Sequence, residues 1–144
     1  MYSGLLHSHS YLRYAVLALL ILVTTTSLIR WLGKKSYTGT DNKLSLFLLI
    51  STHLQFVLGL CLYFGSSFVQ FNSSTMKDPT TRYWTVEHIT MMIIAVALIT
   101  IARITSKKMN LDEDKHKRLF IFNAIALVII LAGIAMSGRG IINL

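Results

Sequence analysis

Four apolar stretches, each close to the length of a membrane span, constrain this chain more than any other feature of its sequence. The clearest covers residues 83–103, and its central part, residues 89–102, carries no charge. A helix needs roughly 20 largely apolar residues to cross the hydrocarbon core of a bilayer. We therefore predict an all-α fold, an integral membrane four-helix bundle, with spans at about 12–32, 43–64, 83–105 and 119–136.

Composition agrees with a single membrane domain that covers residues 1–144. The chain is 53% hydrophobic and only 14% charged, with a mean hydropathy of +0.59, values typical of membrane proteins. Its net charge is +8, but the Lys and Arg residues lie at the ends of apolar runs and form no stripe interleaved with aromatic side chains. We therefore expect the lipid bilayer as the partner and no nucleic acid. The single cysteine, Cys61, excludes an internal disulfide.

The distribution of basic residues predicts how the spans are oriented. Ten Lys and Arg residues lie within positions 30–43 and 103–118, whereas four lie at the opposite ends of the spans, namely Arg13, Lys77, Arg82 and Arg139. Because cytoplasmic loops of membrane proteins carry an excess of Lys and Arg, both charged loops are expected in the cytoplasm. The N-terminus and the C-terminus then face the outer, periplasmic side of a bacterial inner membrane.

Two of the five histidines lie inside predicted spans, and the deeper one is His53. It follows Lys43 by ten residues, or roughly 15 Å, which is close to the middle of a core about 30 Å thick. Ionisable groups at that depth usually face protein or a cofactor. One interpretation is a neutral imidazole that joins helices through hydrogen bonds, and the other is an axial haem ligand. The candidate hydrogen-bond partners are Thr52, Gln55 and Asn123.

His88 lies nearer the outer boundary, six residues after Arg82, or roughly 9 Å along a helix. It directly follows Glu87, so one interpretation is an interfacial histidine paired with that carboxylate. In the other, His88 binds haem iron while Glu87 accepts a hydrogen bond from it or takes up a proton. His53 and His88 differ in depth by roughly 6 Å, so a haem bound by both requires tilted or offset helices.

Two other ligand pairs are open. His9, at the outer edge of the first span, could join His88 near the outer face. His53 could instead pair with Met91 or Met92, since a thioether is an established haem ligand, although methionines in a helix bundle more often fill gaps in the core.

Several segments together resemble a family of small bacterial four-span proteins commonly labelled "cytochrome b". The resemblance extends over residues 6–134 and is carried by the strings HSHSYLRY, STHLQFVLGLCLYF, MKDPTTRYWTVEHITMM and HKRLFIFNAIALVIILAGI. It implies a haem-binding, electron-carrying protein, with His9, His53 and His88 at matching positions. The chain is more loosely similar to one four-helix half of haem A synthase, whose histidines lie on a different set of helices.

We therefore predict a b-type cytochrome-like protein that carries single electrons between a quinol or a membrane redox partner and a bound haem b. His53 and His88 are the first-choice iron ligands, with His9 in reserve. Arg13, one turn after His9, is placed to pair with a haem propionate, and Glu87 is the candidate proton acceptor. Other redox subunits, a quinone and a second copy of the chain are further partners consistent with this role.

Two other classes of function remain as alternatives. The chain could be a cofactor-free structural or assembly subunit of a larger membrane complex, with His53 joining two helices. It could also be a small transporter with Glu87 and His88 as a proton relay, although no interrupted or repeated span indicates a transport site.

Overall fold

A computed structural model describes residues 2–65, 71–72 and 74–136 of the chain, with the side chains of Tyr2 and Trp84 left aside. Within those residues every regular element is helical, and four helices are long and apolar enough to cross a membrane. This confirms the predicted all-helical fold with four helices of membrane-spanning length. The elements are α1 (Tyr2–Leu32), α2 (Gly39–Gly65), α3 (Pro79–Arg82), a π-helical turn (Tyr83–Glu87), α4 (His88–Lys107) and α5 (Asp112–Met136).

The four long helices form a bundle in which each packs on two neighbours. Helix α1 packs on α2 and α5, and α4 packs most extensively on α5, whereas the seam between α2 and α4 is the thinnest of the four. The core contains aliphatic side chains from all four helices: Leu17, Leu20, Val23, Leu48, Ala95, Ile99, Ala126, Ile130 and Ile134. The bundle therefore has a closed apolar centre with one weakly packed side.

The two ends of the bundle differ in character. We call the end with the connections at 33–38 and 108–111 the basic end, because most of the Lys and Arg residues lie there. The other end holds the start of α1 and the ends of α2 and α5, and we call it the terminal end. Arg139, one of the four basic residues expected on the outer side, lies outside the described residues.

Large apolar side chains also cover the outside of the bundle. On α2 they include Phe47, Ile50, Leu54 and Val57, each more than half exposed. A soluble monomer rarely exposes a contiguous apolar surface of this kind, whereas a helix surrounded by lipid exposes one along its length. The surface therefore agrees with association with lipid.

Helix α2 begins earlier than its apolar run, and a capping box explains why. The sequence predicts Asp41 or Asn42 as the N-cap, but the helix begins at Gly39. Thr38 donates its backbone N–H to Asp41 Oδ2 at 2.8 Å, and the Asp41 N–H points to Thr38 Oγ1 at 3.5 Å. This reciprocal pattern requires Ser or Thr followed three residues later by an acceptor, and the string TGTD provides it.

Helix α3 begins at Pro79, as the sequence predicts for the only proline. Asp78 is the N-cap residue, and Thr81 Oγ1 donates a hydrogen bond of 2.6 Å to its carboxylate. That hydrogen bond holds the pKa of Asp78 below its ordinary value, because it stabilises the charged form.

We expect Thr81→Val to raise the pKa of Asp78 toward its ordinary value, since the donated hydrogen bond is lost. Because the folded-state pKa is depressed, the stabilisation of this helix start is present above the unfolded pKa and is lost as pH falls through the folded pKa. The carboxyl ¹³C chemical shift of Asp78 followed against pH measures the change. Thr80→Val is the matched control, and an equal shift in both variants would contradict the assignment.

Candidate functional site

His88 is held by a tyrosine across a π-helical turn. Its backbone N–H bonds to the carbonyl of Tyr83, five residues earlier, and the Tyr83 hydroxyl lies 3.3 Å from His88 Nδ1. The same hydroxyl donates to the carbonyl of Gly133 on α5 at 2.6 Å. Since a hydroxyl has one proton, His88 Nδ1 must be the donor in the first contact, which leaves the lone pair of the ring on Nε2. Metal-binding imidazoles are commonly oriented by a hydrogen bond of this kind.

Glu87 forms an ion pair with Arg82, whereas its position in the sequence suggested His88 as the partner. Arg82 Nε donates to Glu87 Oε1 at 2.8 Å, and both side chains are partly exposed. The structure thus pairs Glu87 with a cation one turn earlier. Its role as a proton acceptor stays a prediction.

His9 lies in the seam between α1 and α2, against a glycine. A Cβ added to Gly59 would lie 3.3 Å from His9 Cε1, so the missing side chain makes room for the imidazole. Gln55 Nε2 donates to the backbone carbonyl of His9 at 2.9 Å. The side chains leave two buried polar atoms without a hydrogen-bond partner, His9 Nδ1 and Gln55 Oε1. A buried ring nitrogen without a partner is uncommon and needs an explanation.

Arg13 lies one turn after His9 on α1. Its guanidinium donates to the hydroxyl of Tyr14 at 3.2 Å and lies over the ring of that residue, 5.0 Å from the centroid. The guanidinium of Arg13 thus lies against the side chain of Tyr14. Pairing with a propionate stays a prediction.

His53 joins two helices through a hydrogen bond. Its Nε2 lies 2.9 Å from Thr100 Oγ1 on α4, and that hydroxyl donates its single proton to the carbonyl of Val96 at 2.7 Å. His53 Nε2 therefore carries the proton and is the donor. The imidazole is exposed at the thin seam between α2 and α4. This is the interhelical role considered from the sequence, with Thr100 as a partner that the sequence did not indicate.

The structure does not bring His53 and His88 together. Thr100, which His53 touches, lies twelve residues after His88 on the same helix, or roughly 18 Å along its axis. Two imidazoles on opposite sides of one iron would need ligand nitrogens about 4 Å apart, twice an ordinary metal–imidazole bond. In this arrangement the first-choice pair does not fit a single haem.

His9 and His88 both lie toward the terminal end of the bundle. The hydroxyl of Tyr63 on α2 donates to the carbonyl of Thr85 at 2.7 Å, which fixes the height of α2 against the π-helical turn. Gly59, which touches His9, lies roughly 6 Å from Tyr63 along α2, toward the basic end. His88 lies roughly 4.5 Å from Thr85, also toward the basic end. By this contact Gly59 lies within a turn of His88 in height, whereas the His53–Thr100 contact places Gly59 roughly 9 Å from His88.

Met91 and Met92 pack against α5. A Cβ added to Gly133 would lie 3.2 Å from Met92 Cε and 3.8 Å from Met91 Sδ. Both methionines lie eight or nine residues before Thr100, or roughly 12 Å from the helix position that His53 touches. They fill space beside a glycine, and the structure does not bring them to His53.

The basic end contains a buried polar cluster that sequence reasoning assigned only to topology. Arg103 is 8% exposed, and its Nη1 donates to the carbonyl of Asn42 at 3.0 Å and to Ser45 Oγ at 2.6 Å. Asp41, 6% exposed, accepts a hydrogen bond of 3.0 Å from Arg30 Nε. These contacts tie α4 to α2 and α2 to α1. The only signal in the sequence was the position of Arg103 at the end of an apolar run.

Two aromatic rings close the same end. His116 is 1% exposed, its Nε2 lies 3.1 Å from the carbonyl of Lys35, and its ring is 5.7 Å from that of Tyr37. Burial raises the pKa of Tyr37 above its ordinary value, and the nearby Asp41 acts in the same direction while Arg103 opposes it. His116 lies in the charged segment that the sequence placed in a cytoplasmic loop, and in the structure it is a buried residue of the basic end.

The described residues contain no group of three or more His, Cys, Asp and Glu side chains that could hold a metal ion. Haem is a different case, because its iron takes one or two axial side chains. The class that the fold defines is an all-helical protein with four membrane-spanning candidates. Comparison of the chain with protein-family models, with curated proteins and with solved structures finds no match.

Proposed function

We propose that this protein is a membrane-embedded b-type cytochrome-like electron carrier, with haem b near the terminal end between His9 and His88. The observation that supports the proposal is the hydrogen bonding of two imidazoles toward the terminal end of the bundle. His9 has a buried Nδ1 without a hydrogen-bond partner, and His88 has its proton fixed on Nδ1 by Tyr83. Arg13 beside His9 fits a haem propionate, since guanidinium groups pair with carboxylates. His53 then serves as an interhelical hydrogen-bond donor.

Each residue has a defined task in this proposal. His88 would bind through Nε2, and Tyr83 would keep its ring in one tautomer and one orientation. His9 would bind from the seam between α1 and α2, where Gly59 leaves room for its ring. When bound, haem supplies reversible one-electron chemistry at its iron. Glu87 is partly exposed and paired with Arg82, and its carboxylate would accept a proton released by a quinol. Protonation would break the ion pair with Arg82.

The basic end would face the cytoplasm of a bacterial inner membrane, because it carries most of the Lys and Arg residues. The ligand pair would then lie in the periplasmic half of the bilayer. Electron exchange with a quinol or a redox subunit would occur from that side.

Optical spectroscopy tests the ligand assignment. The full chain, produced with a haem supply and purified in detergent, should show Soret and alpha bands that sharpen on reduction with dithionite. His9→Ala and His88→Ala should each lower bound haem at least tenfold, since an axial bond is lost. His53→Ala is the matched control and should retain the bands.

Two outcomes would overturn parts of the proposal. A wild-type protein that shows neither band after haem supply carries no haem. Loss of the bands in His53→Ala with retention in His9→Ala would return the ligand role to His53. In both cases thermal stability of the variants must be measured alongside, so that unfolding is told apart from ligand loss.

The exposed His53 favours a second candidate, a cofactor-free subunit of a larger membrane complex. A polar imidazole on the outer surface of a span is costly in lipid and is better covered by another protein. Its hydrogen bond to Thr100 would then hold α2 on α4 at the thin seam. Stable co-purification of partner subunits from native membranes, together with absence of haem bands, would support this candidate over the first.

A further inference from the structure

A groove at the basic end combines cationic and apolar walls. It lies along the first turns of α5, beside Met109 of the connection at 108–111, and has a volume of about 320 Å³. At about 30 Å³ for a water-sized group, this holds a phosphate and part of a glycerol. The lining residues are Met109, Asp114, Lys117, Arg118, Ile121 and Phe122.

The two cations of the groove are held against aromatic rings. Arg118 Cζ lies 5.0 Å from the centroid of Phe122, and Lys117 Nζ lies 5.9 Å from that of Trp31. Such contacts keep long side chains close to the protein instead of free in solvent. Arg118 presents a planar fork of donors, a geometry that suits a phosphate. Asp114 offsets one cation, which leaves one net positive charge in the groove.

The position of the groove selects a lipid over a free phosphate. Lys117 and Arg118 are the last charged residues before the uncharged run at 119–136. Ile121 and Phe122 belong to that run, so the groove crosses from the polar end of α5 into its membrane-spanning part. A soluble anion would use only the polar half, whereas a phospholipid would use both.

We propose that this groove binds one anionic phospholipid, with the phosphate on Lys117 and Arg118 and the upper acyl carbons against Ile121 and Phe122. Basic residues immediately on the cytoplasmic side of a spanning helix attract anionic headgroups by charge. The site is at the opposite end of the bundle from His9 and His88, so it does not depend on haem binding.

Native mass spectrometry of the full chain in detergent tests the proposal, with dioleoylphosphatidylglycerol and dioleoylphosphatidylcholine as probes. The phosphatidylglycerol should be retained preferentially. The double variant Lys117→Gln, Arg118→Gln should weaken its binding about thirtyfold, as expected for two cations worth about fivefold each near a membrane surface. Asp114→Asn should strengthen it about fivefold, because a repulsive charge is removed. Lys107→Gln with Lys108→Gln is the matched control and should leave affinity unchanged.

Three results would overturn the proposal. They are equal retention of the two lipids by wild type, equal weakening by the control pair, and weakening by Asp114→Asn. Displacement of the lipid by millimolar inorganic phosphate, together with full affinity in Phe122→Ala, would identify a phosphate site instead of a lipid site. If the double variant fails to fold, the wild-type lipid preference and Asp114→Asn decide the matter.

Discussion

Asp41→Asn should lower the free energy of unfolding by about 2–3 kcal/mol, the largest loss we expect from a single isosteric change in this chain. Asp41 is 6% exposed and accepts from three donors, namely Arg30 Nε at 3.0 Å and the Thr38 N–H and hydroxyl at 2.8 and 3.1 Å. An amide has one acceptor oxygen and one NH₂. Whichever way it turns, the NH₂ meets an N–H donor, so one donor is left without an acceptor.

Loss of the negative charge of Asp41 adds to the destabilisation. Asp41 is the carboxylate of the buried cluster at the basic end, where Arg30 and Arg103 are the cations. Its removal takes the carboxylate partner from Arg30 in a poorly solvated place. Since Arg30 is 30% exposed, solvent screens part of this loss, and the expected value lies below the range for fully buried pairs.

Arg103→Met should cost less than Asp41→Asn, although it deletes a whole charged group. Arg103 donates to the Ser45 hydroxyl and to the Asn42 carbonyl. Ser45 Oγ also donates to that carbonyl at 3.0 Å, and this hydrogen bond remains when Arg103 is removed. The desolvation penalty of the buried cation also disappears. Titration with SDS in mixed micelles measures both variants. Glu113→Gln, an exposed change of charge at the same end, is the control and should shift unfolding by no more than about 0.5 kcal/mol.

Tyr83→Phe should lower the free energy of unfolding by about 2 kcal/mol and, if haem binds as proposed, weaken haem retention about tenfold. The hydroxyl is the shared partner of His88 Nδ1 and the Gly133 carbonyl, so one deletion removes two hydrogen bonds. The first bond fixes the tautomer of His88. The second ties the π-helical turn to α5.

Tyr63→Phe is a close control for this prediction. Its hydroxyl also donates to a backbone carbonyl, that of Thr85 at 2.7 Å, but does not touch His88. It should cost about 1 kcal/mol and leave haem retention unchanged. Haem loss of equal size in both variants would mean that general loosening of the bundle, not the orientation of His88, controls retention. Stability is read by SDS titration and retention by the absorbance of the Soret band.

The number and approximate place of the spans could be predicted from the sequence because apolar transfer into lipid is a local property. Each run of roughly 20 apolar residues has that tendency whatever its neighbours do. The start of the third helix at Pro79 is local for the same reason, since proline fixes its own backbone and lacks an N–H. The start of α2 at Gly39 is also encoded locally, in the TGTD string.

The partners of the histidines depended on facts that no local pattern contains. Each residue turns a helix by about 100°, so a small change in rotation or register moves a side chain from one neighbour to another. The π-helical turn at Tyr83–Glu87 brings Tyr83 against His88, five residues later, and Glu87 against Arg82. The sequence therefore did not indicate Thr100 as the partner of His53 or Tyr83 as the partner of His88.

The sequence by itself determined that four long helices form. Each apolar run favours lipid, and in lipid its backbone groups must bond to one another within the same run. Only the tertiary structure decided that Arg103 and His116 are buried and that Asp41 pairs with Arg30. The physical reason is that the sequence around a charged residue at the end of an apolar run is the same whether its side chain faces water or protein. Rotation and packing of neighbouring helices make the difference, and these are set by the interlocking of side chains across the whole bundle.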